Sequence, residues 1–449
     1  MAKTESNGLI IPTYVINLKE RKDRLKHIKF QFLDKSEFEI SVIAAVKHPV
    51  GAIGLWQSIH KIVDMAQKQN KDFILICEDD HEFTPCYSKQ HLFDCIAEAK
   101  INEADVLLGG VSALRSAFPI SKYLFWTELF NGSQFVILFN KFFKTILEAE
   151  FENNDLADYK ISSLTTRQFF IYPFISIQKD FGYSDATKKN NEAGRVAEYF
   201  KKASETVEYL LNVLTFYKTE HKNKATEAEQ EIFDNIIIPT YIINLPERTE
   251  RRAHIQKQFE GRKEFDVVFV EACKHKIGAV GLWNSIRKVV QMAIDHDDDV
   301  IIICEDDHEF TNTYSKAFLL KNIIEAHQQG ADILSGGIGG FVHAVKITQD
   351  RYWVNNCSAT QFIILYKKFF SKILEEPFDD DVIADILLSE ITSNKMVLYP
   401  FISTQKNFGY SDVTPIHNKL EALVEKMFNT SVTRLGVISN AYLKYTKYQ

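Results

Sequence analysis

The chain has 449 residues, of which 45% are hydrophobic and 25% charged, a composition typical of a globular protein long enough for two hydrophobic cores. The formal net charge of −7 provides no basic face for a nucleic-acid backbone, so nucleic acid is not expected as a partner. The first residues carry no apolar signal segment and no run approaches the ~18 apolar residues that span a bilayer, so we expect a cytoplasmic protein without a transmembrane segment.

Strands and helices alternate along the first part of the chain. Apolar and β-branched runs predict strands, and apolar residues at helical spacing predict helices. The predicted strands are 13–18, 38–44, 73–77, 105–108 and 135–139, and the predicted helices are 54–66, 89–100 and 141–149. The run 73–77 is apolar throughout, as in a strand buried on both faces of a mostly parallel sheet. This alternation indicates α/β layers with ligands bound at the strand ends.

The whole pattern then repeats. The sequence IPTYVINL at 11–18 returns as IPTYIINL at 238–245, and CEDDHEF at 77–83 returns unchanged at 304–310, an offset of 227 residues without gaps. Solenoid repeats have periods of only ~20–50 residues, so this offset indicates a duplicated domain. We expect a first domain over 1–217, a helical and charged linker over 218–235, and a second domain over 236–449.

Each copy also ends in a predicted helix. The first covers 196–217 and the second covers 420–444, which carries lysines and aromatic residues toward its end. That tail fits either a helix that finishes on basic residues or a peripheral contact with a membrane surface, and both interpretations stay open.

A Glu-Asp-Asp triplet follows the buried strand in each copy. Alternation along an extended chain places Glu78 and Asp80 on one side and Asp79 on the other. Two carboxylates on one side form a hard oxygen site of the kind that Mg²⁺ or Mn²⁺ prefers while it binds phosphates. The alternative is a solvated acidic turn, but the cluster returns with its flanking residues intact. His81 is predicted either to be a further metal ligand or to form hydrogen bonds with the carboxylates.

Two arginines three residues apart follow the first strand of each copy. They are Arg21 and Arg24 in the first copy and Arg248 and Arg251 in the second. In the first turn of a helix this spacing places both guanidinium groups on one face, where they and the helix N-terminus would bind phosphate. The alternative is a pair of surface arginines that satisfy acids such as Asp23, and the spacing does not decide between the two.

Five segments in a fixed order resemble glycosyltransferase family 25, which holds the lipooligosaccharide and procollagen galactosyltransferases. The segments are INLKERKDR at 16–24, GAIG at 51–54 with Ser58, CEDD at 77–80, GSQFVI at 132–137, and Tyr172-Pro173 with Gln178 and Ser184-Asp185. The resemblance covers about residues 12–186 and again 239–413. It implies two tandem GT-A-like domains, each with a Rossmann-like mixed sheet.

The resemblance also implies roles for individual residues. The expected nucleotide-sugar-binding residues are Asn17, Arg21 and Arg24, with Asn244, Arg248 and Arg251. The expected ligands of Mn²⁺ or Mg²⁺ are Glu78 and Asp80, with Glu305 and Asp307. The cation would offset charge on the departing nucleoside diphosphate. The inverting transfer implied by the family needs a base for the acceptor hydroxyl.

The candidate bases are Asp158 or Asp185 in the first copy, and Asp385 or Asp412 in the second. Helix capping and a Ser-Asp turn are the alternative roles, and the choice stays open. The copies differ most over 111–124 and 338–351, after a strand end where acceptor contacts would be built. We therefore expect one donor chemistry and two acceptor specificities.

The resemblance, together with the recurring acids and arginines, implies a metal-dependent hexosyltransferase that moves a sugar from a nucleotide sugar to a glycan acceptor. UDP-galactose is the first candidate donor, and cell-surface polysaccharide, including lipopolysaccharide, or a glycoprotein glycan is the expected product. Family members usually carry Ser-His where this chain has Ser58-Ile59 and Ser285-Ile286. This departure leaves open a noncatalytic nucleotide-sugar- or carbohydrate-binding protein with one or both copies degenerate. A phosphotransferase is disfavoured, since no Gly-rich phosphate loop with Lys-Ser or Lys-Thr occurs.

Overall fold

The computed structural model describes residues 9–183, 194–220, 235–410 and 422–446, together with residues 192 and 233. The chain divides into two compact units, one formed by residues up to 212 and from 440 onward, the other by residues 213–439. Each unit contains an eight-stranded mixed sheet. The predicted α/β class and the duplicated two-domain layout are therefore confirmed. Most of the predicted linker, at 221–232 and 234, lies outside the described residues.

The strands of the first half are β1 Ile11–Asn17, β2 Phe38–Ala44, β3 Phe73–Glu78, β4 His81–Phe83, β5 Val106–Leu108, β6 Ala113–Leu114, β7 Ala117–Pro119, β8 Leu124–Thr127, β9 Phe130–Asn131, β10 Phe135–Phe139, β11 Gln168–Ile171 and β12 Ser176–Gln178. Its helices are α1 Lys22–Gln31, α2 Gly51–Lys68, α3 Lys89–Ile101, α4 Asn140–Glu148, α5 Ala157–Ser163 and α6 Arg195–Glu220. The strand order across the large sheet is β2-β1-β3-β10-β5-β11-β8-β7.

The second half repeats this arrangement. Its strands are β13 Ile238–Asn244, β14 Phe265–Glu271, β15 Val300–Glu305, β16 His308–Phe310, β17 Ile333–Ser335, β18 Ala344–Lys346, β19 Arg351–Val354, β20 Phe362–Tyr366, β21 Lys395–Leu398 and β22 Ser403–Gln405. Its helices are α7 Thr249–Phe259, α8 Gly278–Asp295, α9 Lys316–Gln328, α10 Lys367–Glu375, α11 Ala384–Ile391 and α12 Leu423–Tyr445. The strand order is β14-β13-β15-β20-β17-β21-β19-β18. None of the described helices combines the length and apolar character needed to cross a bilayer.

The pairing of the strands brings several strand ends to one edge of each sheet. In the first half, β1 is parallel to β3, and β5 is parallel to β11. Strand β10 is antiparallel to both β3 and β5, so it begins where those two end. The Glu78 backbone N–H accordingly donates to the Gln134 carbonyl at 3.2 Å, and the Gly109 N–H to the Phe135 carbonyl at 3.1 Å. Asn17, Glu78 and the segment before β10 therefore meet at this edge.

Helix α2 packs closely on the loop that follows β2. A Cβ atom at Gly54 would lie 2.5 Å from the Val46 carbonyl oxygen, so the second glycine of the GAIG segment permits this approach. The Ser58 hydroxyl donates to the Gly54 carbonyl at 2.7 Å and accepts the Val46 backbone N–H at 2.9 Å. The next residue, Ile59, is only 2% exposed. Ile59, which stands where members of glycosyltransferase family 25 usually have histidine, is therefore a core residue.

Candidate functional site

Cavities lie at the strand-end edge of both halves. In the second half one cavity of about 720 Å³ is lined by Arg248, Arg251, Glu305, Asp307 and Asp385, among others. In the first half two cavities of about 520 and 350 Å³ lie side by side. They share Arg24, Leu55, Glu78 and Asp80. The predicted acids and arginines of each copy are thus brought to one place.

The acidic triplet does not have the extended geometry expected of it. Strand β3 ends at Glu78, and Asp79 and Asp80 form a turn before β4. As a result Asp79 is not directed to the opposite side, since Nη1 of Arg24 lies 3.0 Å from Asp79 Oδ1 and 3.0 Å from Asp80 Oδ2. Asn17 donates its Nδ2 to the other Asp79 oxygen at 2.7 Å. The predicted separation of Asp79 from its neighbours is wrong, because a turn breaks the alternation.

Arg24 is an internal counter-ion of this cluster. Its side chain is buried, and Nη2 donates to the Tyr183 carbonyl at 2.7 Å. The second half reproduces the arrangement: Arg251 Nη1 lies 2.9 Å from Asp306 and 3.4 Å from Asp307, and Nη2 donates to the Tyr410 carbonyl at 2.8 Å. Both Nη groups are thus held by protein oxygens, although both arginines line the cavities.

Arg21 occupies a different position. Its guanidinium carbon lies 4.3 Å from the centre of the Tyr183 ring, and Arg248 lies 4.4 Å from that of Tyr410. Both arginines line the cavities. Arg24 and Arg251 also lie over these two rings, each at 4.7 Å, so one aromatic ring in each half contacts both arginines. The two predicted arginines of each half thus differ in that Arg24 and Arg251 also pair with the aspartates of the acidic triplet.

The carboxyl groups at the centre of the site have raised pKa values. Burial raises the pKa of Glu78, as does the negative charge of Asp80, while the Ser133 hydroxyl, which donates to Glu78 Oε1 at 2.6 Å, opposes the shift. Burial also raises the pKa of Asp80, against the effect of Arg24. The pKa values of Glu305 and Asp307 are shifted upward for the same reasons, with Thr360 in the place of Ser133. A cation at these oxygens would offset the electrostatic cost of keeping the neighbouring carboxylates ionised.

The donor set fits a divalent cation. Asp80 Oδ1 and Asp307 Oδ1 are buried and have no hydrogen-bond partner among the described residues. Carboxylate oxygens are the ligands that Mg²⁺ and Mn²⁺ prefer. No group of three or more His, Cys, Asp or Glu suited to a metal occurs in the described part of the chain. An ion held by Glu78 and Asp80 would therefore complete its coordination with water or with oxygens of a bound phosphate.

His81 takes neither of its predicted roles. Its Nδ1 lies 2.8 Å from the Ser176 hydroxyl, and its ring centre lies 4.3 Å from that of Phe83 and 5.2 Å from that of Phe135. Burial among these rings lowers its pKa to about 3. The ring is a neutral core group, because the turn at Asp79 and Asp80 directs residue 81 into the interior. His308 makes the equivalent 2.8 Å contact with Ser403.

Asp158 lies in the same cavity as the acidic pair. It lines the 350 Å³ cavity with Glu78 and Asp80. Its two oxygens accept the backbone N–H groups of Gly132 and Tyr159, each at 2.9 Å, and burial raises its pKa. It sits in the first turn of α5, whose N-cap is Leu156. Asp385 likewise lines its cavity and accepts the Ala359 N–H at 2.9 Å. The other candidate bases, Asp185 and Asp412, lie outside the described residues.

One basic element of the site was missed from the sequence. Lys47 and His48, in the loop after β2, line the 520 Å³ cavity, and Lys274 and His275 line that of the second half. Lys47 also pairs with Glu20. The Lys-His pair recurs at the offset of 227 residues, so comparison of the two copies contained the signal.

Comparisons with known proteins add no family. No protein-family model matches the chain, and no curated protein matches it. Among solved structures it resembles the A197 protein from STIV, with 15% identity, 39% of this chain and 87% of that one covered, and a TM-score of 0.29. It also resembles an apo-UDP-glucose pyrophosphorylase, with 12% identity, 51% and 86% covered, and a TM-score of 0.26.

A third similar structure is described as mannose-1-phosphate geranyltransferase from Thermus thermophilus. It shows 8% identity, with 36% of this chain and 73% of that one covered, and a TM-score of 0.22. Scores at this level identify neither a fold family nor an activity for the chain.

Proposed function

We propose that each half binds a nucleotide sugar and transfers its sugar to a hydroxyl group of a glycan. One observation carries the proposal. In both halves a partly buried pair of carboxylates, Glu78 with Asp80 and Glu305 with Asp307, lines a strand-end cavity beside a stacked arginine. This arrangement offers anionic ligands for a cation and a cationic donor for phosphate within one cavity. The family resemblance of the sequence supports the same chemistry, with UDP-galactose as the first donor to test.

Different residues of the first half would bind phosphate, hold the cation and position the carboxylates. Arg21 and Lys47 would bind phosphate oxygens from the basic side of the cavity. Glu78 and Asp80 would hold Mn²⁺ or Mg²⁺, which when bound offsets negative charge on the departing diphosphate. Arg24 keeps Asp79 and Asp80 in place through its two 3.0 Å contacts. It would thereby fix the free oxygen of Asp80 for this task.

Asp158 is the proposed base in the first half, and Asp385 in the second. The acceptor oxygen would attack the anomeric carbon, the bond from that carbon to the diphosphate oxygen would break, and the hydroxyl proton would pass to the carboxylate. Its raised pKa makes Asp158 a stronger base than an exposed aspartate. The two backbone N–H groups that it accepts hold its orientation.

A second candidate is nucleotide-sugar binding without turnover. The observation that favours it is the contact of Arg24 with Asp80 Oδ2 at 3.0 Å, because a guanidinium here already neutralises part of the acidic cluster. Such a protein would bind the donor without a requirement for a divalent ion.

The deciding experiment measures release of nucleoside diphosphate from a panel of nucleotide sugars, with Mn²⁺, with Mg²⁺ and with chelator. We expect release that depends on the metal and that each of Asp80→Asn and Asp307→Asn lowers in part. The double variant should be inactive. Tight donor binding with no release, indifferent to chelator, would favour the noncatalytic candidate. Equal loss of one and the same product in both single variants would contradict two acceptor specificities.

A further inference from the structure

An apolar groove lies beside the site of the second half. It has a volume of about 490 Å³ and is lined by Pro377, Phe378, Val382, Ile383, Ile386 and Leu387. Several of these side chains remain open to solvent: Ile383 is 51% exposed, Ile386 48% and Phe378 38%. Contiguous exposed apolar residues in a concave surface typically mark a place where another molecule binds.

The groove is continuous with the proposed reaction cavity. Ile383 and Ile386 line both spaces, and Asp385, the proposed base, lies between them in the chain and faces the larger cavity. Any group in the groove therefore lies next to the place where the acceptor hydroxyl must sit. This continuity points to a part of the acceptor as the occupant.

The first half shows that the fold does not require this apolar lining. At the offset of 227 residues, Val382, Ile386 and Leu387 are replaced by Asp155, Tyr159 and Lys160. Asp155 and Lys160 form an ion pair of 3.0 Å, so two charged side chains stand where the second half has Val382 and Leu387.

The aromatic residue at the end of the groove also differs. In the first half Phe151 is stacked on Trp56, with ring centres 4.9 Å apart and planes at 13°. In the second half Phe378 stands at 70° to Trp283, with ring centres 6.3 Å apart. Phe378 is thus not in parallel stacking with the tryptophan, and it lines the groove.

We propose that the second half takes an acceptor saccharide joined to an uncharged hydrocarbon chain, with the chain in this groove, and that the first half takes a saccharide without one. The inference rests on the proposed transferase function and names its acceptor class. Asp379, Asp381 and Glu390 also line the groove. These acids oppose a phosphate group near the chain, so the linkage between saccharide and hydrocarbon is neutral.

The test compares methyl β-galactoside with octyl β-galactoside, both below the micelle concentration, by calorimetric titration of the full chain. The sugar is the same, so any difference reports the hydrocarbon. Each buried methylene contributes about fourfold in affinity, so burial of only two or three predicts that the octyl compound binds more than about tenfold tighter. The double variant Ile386→Tyr/Leu387→Lys, which introduces the residues of the first half, should reduce the ratio to less than about threefold.

Two controls accompany this comparison. Lys160→Glu, at the matching position of the first half, should leave the ratio at its wild-type value. Phe378→Ser is a second groove variant in case the double variant unfolds, and it should also lower the ratio.

The outcomes separate the two proposals. If wild-type protein binds both glycosides equally, the groove proposal is wrong, whatever the result for nucleotide release. If the octyl compound binds tighter but no nucleotide sugar is turned over, the transferase function is wrong, and with it the acceptor role of the groove. If the groove variants instead dissociate a dimer and the glycosides make no difference, the groove is a contact between two copies of the chain and the proposal fails.

Discussion

Replacement of Arg24 by leucine would remove the cation that holds the acidic turn together. The side chain of Arg24 is 7% exposed, and those of its partners Asp79 and Asp80 are 11% and 15% exposed. Loss of one member of a buried ion pair leaves an uncompensated charge and costs about 3–5 kcal/mol of unfolding free energy. For a unit of this size each kcal/mol lowers the melting temperature by about 2–4 °C, which gives about 6–20 °C in total.

The pH dependence of this loss identifies its cause. Arg24 opposes the upward shift of the Asp80 pKa, which is about 6 with Arg24 in place. Without the arginine that pKa rises further. A carboxyl group with a raised pKa binds protons in the folded state that the unfolded state lacks, so stability is gained as pH falls. The difference in unfolding free energy between wild type and Arg24→Leu should therefore be smaller at pH 5 than at pH 7.

Calorimetric unfolding of the full chain at both pH values measures these effects. Arg24→Lys is the matched control: it keeps the charge but lacks the forked donor group, so its loss should be intermediate. Arg251→Leu should produce a similar loss in the other unit, since Arg251 makes the equivalent contacts. A loss below about 1 kcal/mol at pH 7, or a gap independent of pH, would refute the counter-ion role.

Three further predictions concern the same edge of the sheet. The pKa of Glu78 is raised from 4.5 to about 8, so this group's contribution to stability is present below pH 4.5 and lost as pH rises through 8. Glu78→Gln should therefore flatten the pH dependence of the unfolding free energy between these values, and an unchanged slope would contradict the prediction. Gly110→Ala should lower the free energy of unfolding by about 1–3 kcal/mol, because its Cβ would lie 2.1 Å from the Ser176 carbonyl oxygen; an unchanged denaturation midpoint would disprove the close packing. In the Asp307→Asn background, where only the first half is expected to turn over, Asp158→Asn should slow nucleotide release by about 10²-fold or more with little change in nucleotide affinity; an unchanged rate would exclude Asp158 as the base.

Much of the secondary structure could be predicted from local sequence. Strands β2 and β10 have the predicted bounds, and the predicted helix over 54–66 lies within α2 Gly51–Lys68. These segments place apolar residues at strand or helix spacing, and they do so in both copies. The short strands Ala113–Leu114 and Ala117–Pro119 were not predicted. They are too short to show a period and depend on hydrogen bonds to other strands.

For the candidate site, the sequence indicated which residues to consider but not how they are arranged. The recurrence of the acids and arginines at one offset identified them, and the structure brings them together at the cavities. Their pairing could not be read from the chain, since Arg24 and Asp79 are 55 residues apart. The same holds for His81, whose contact with Ser176 joins residues 95 positions apart.

The sequence alone determined that the chain is duplicated, that each copy alternates strands with helices, and that an acidic triplet follows a buried strand in both. These properties reside in local patterns and in their recurrence. Only the tertiary structure decided that Asp79 turns toward Arg24, that His81 is a core residue, and that an apolar groove adjoins the cavity of the second half. Each of these depends on which distant segments meet at the sheet edge, and burial there sets the charge and the partner of every side chain.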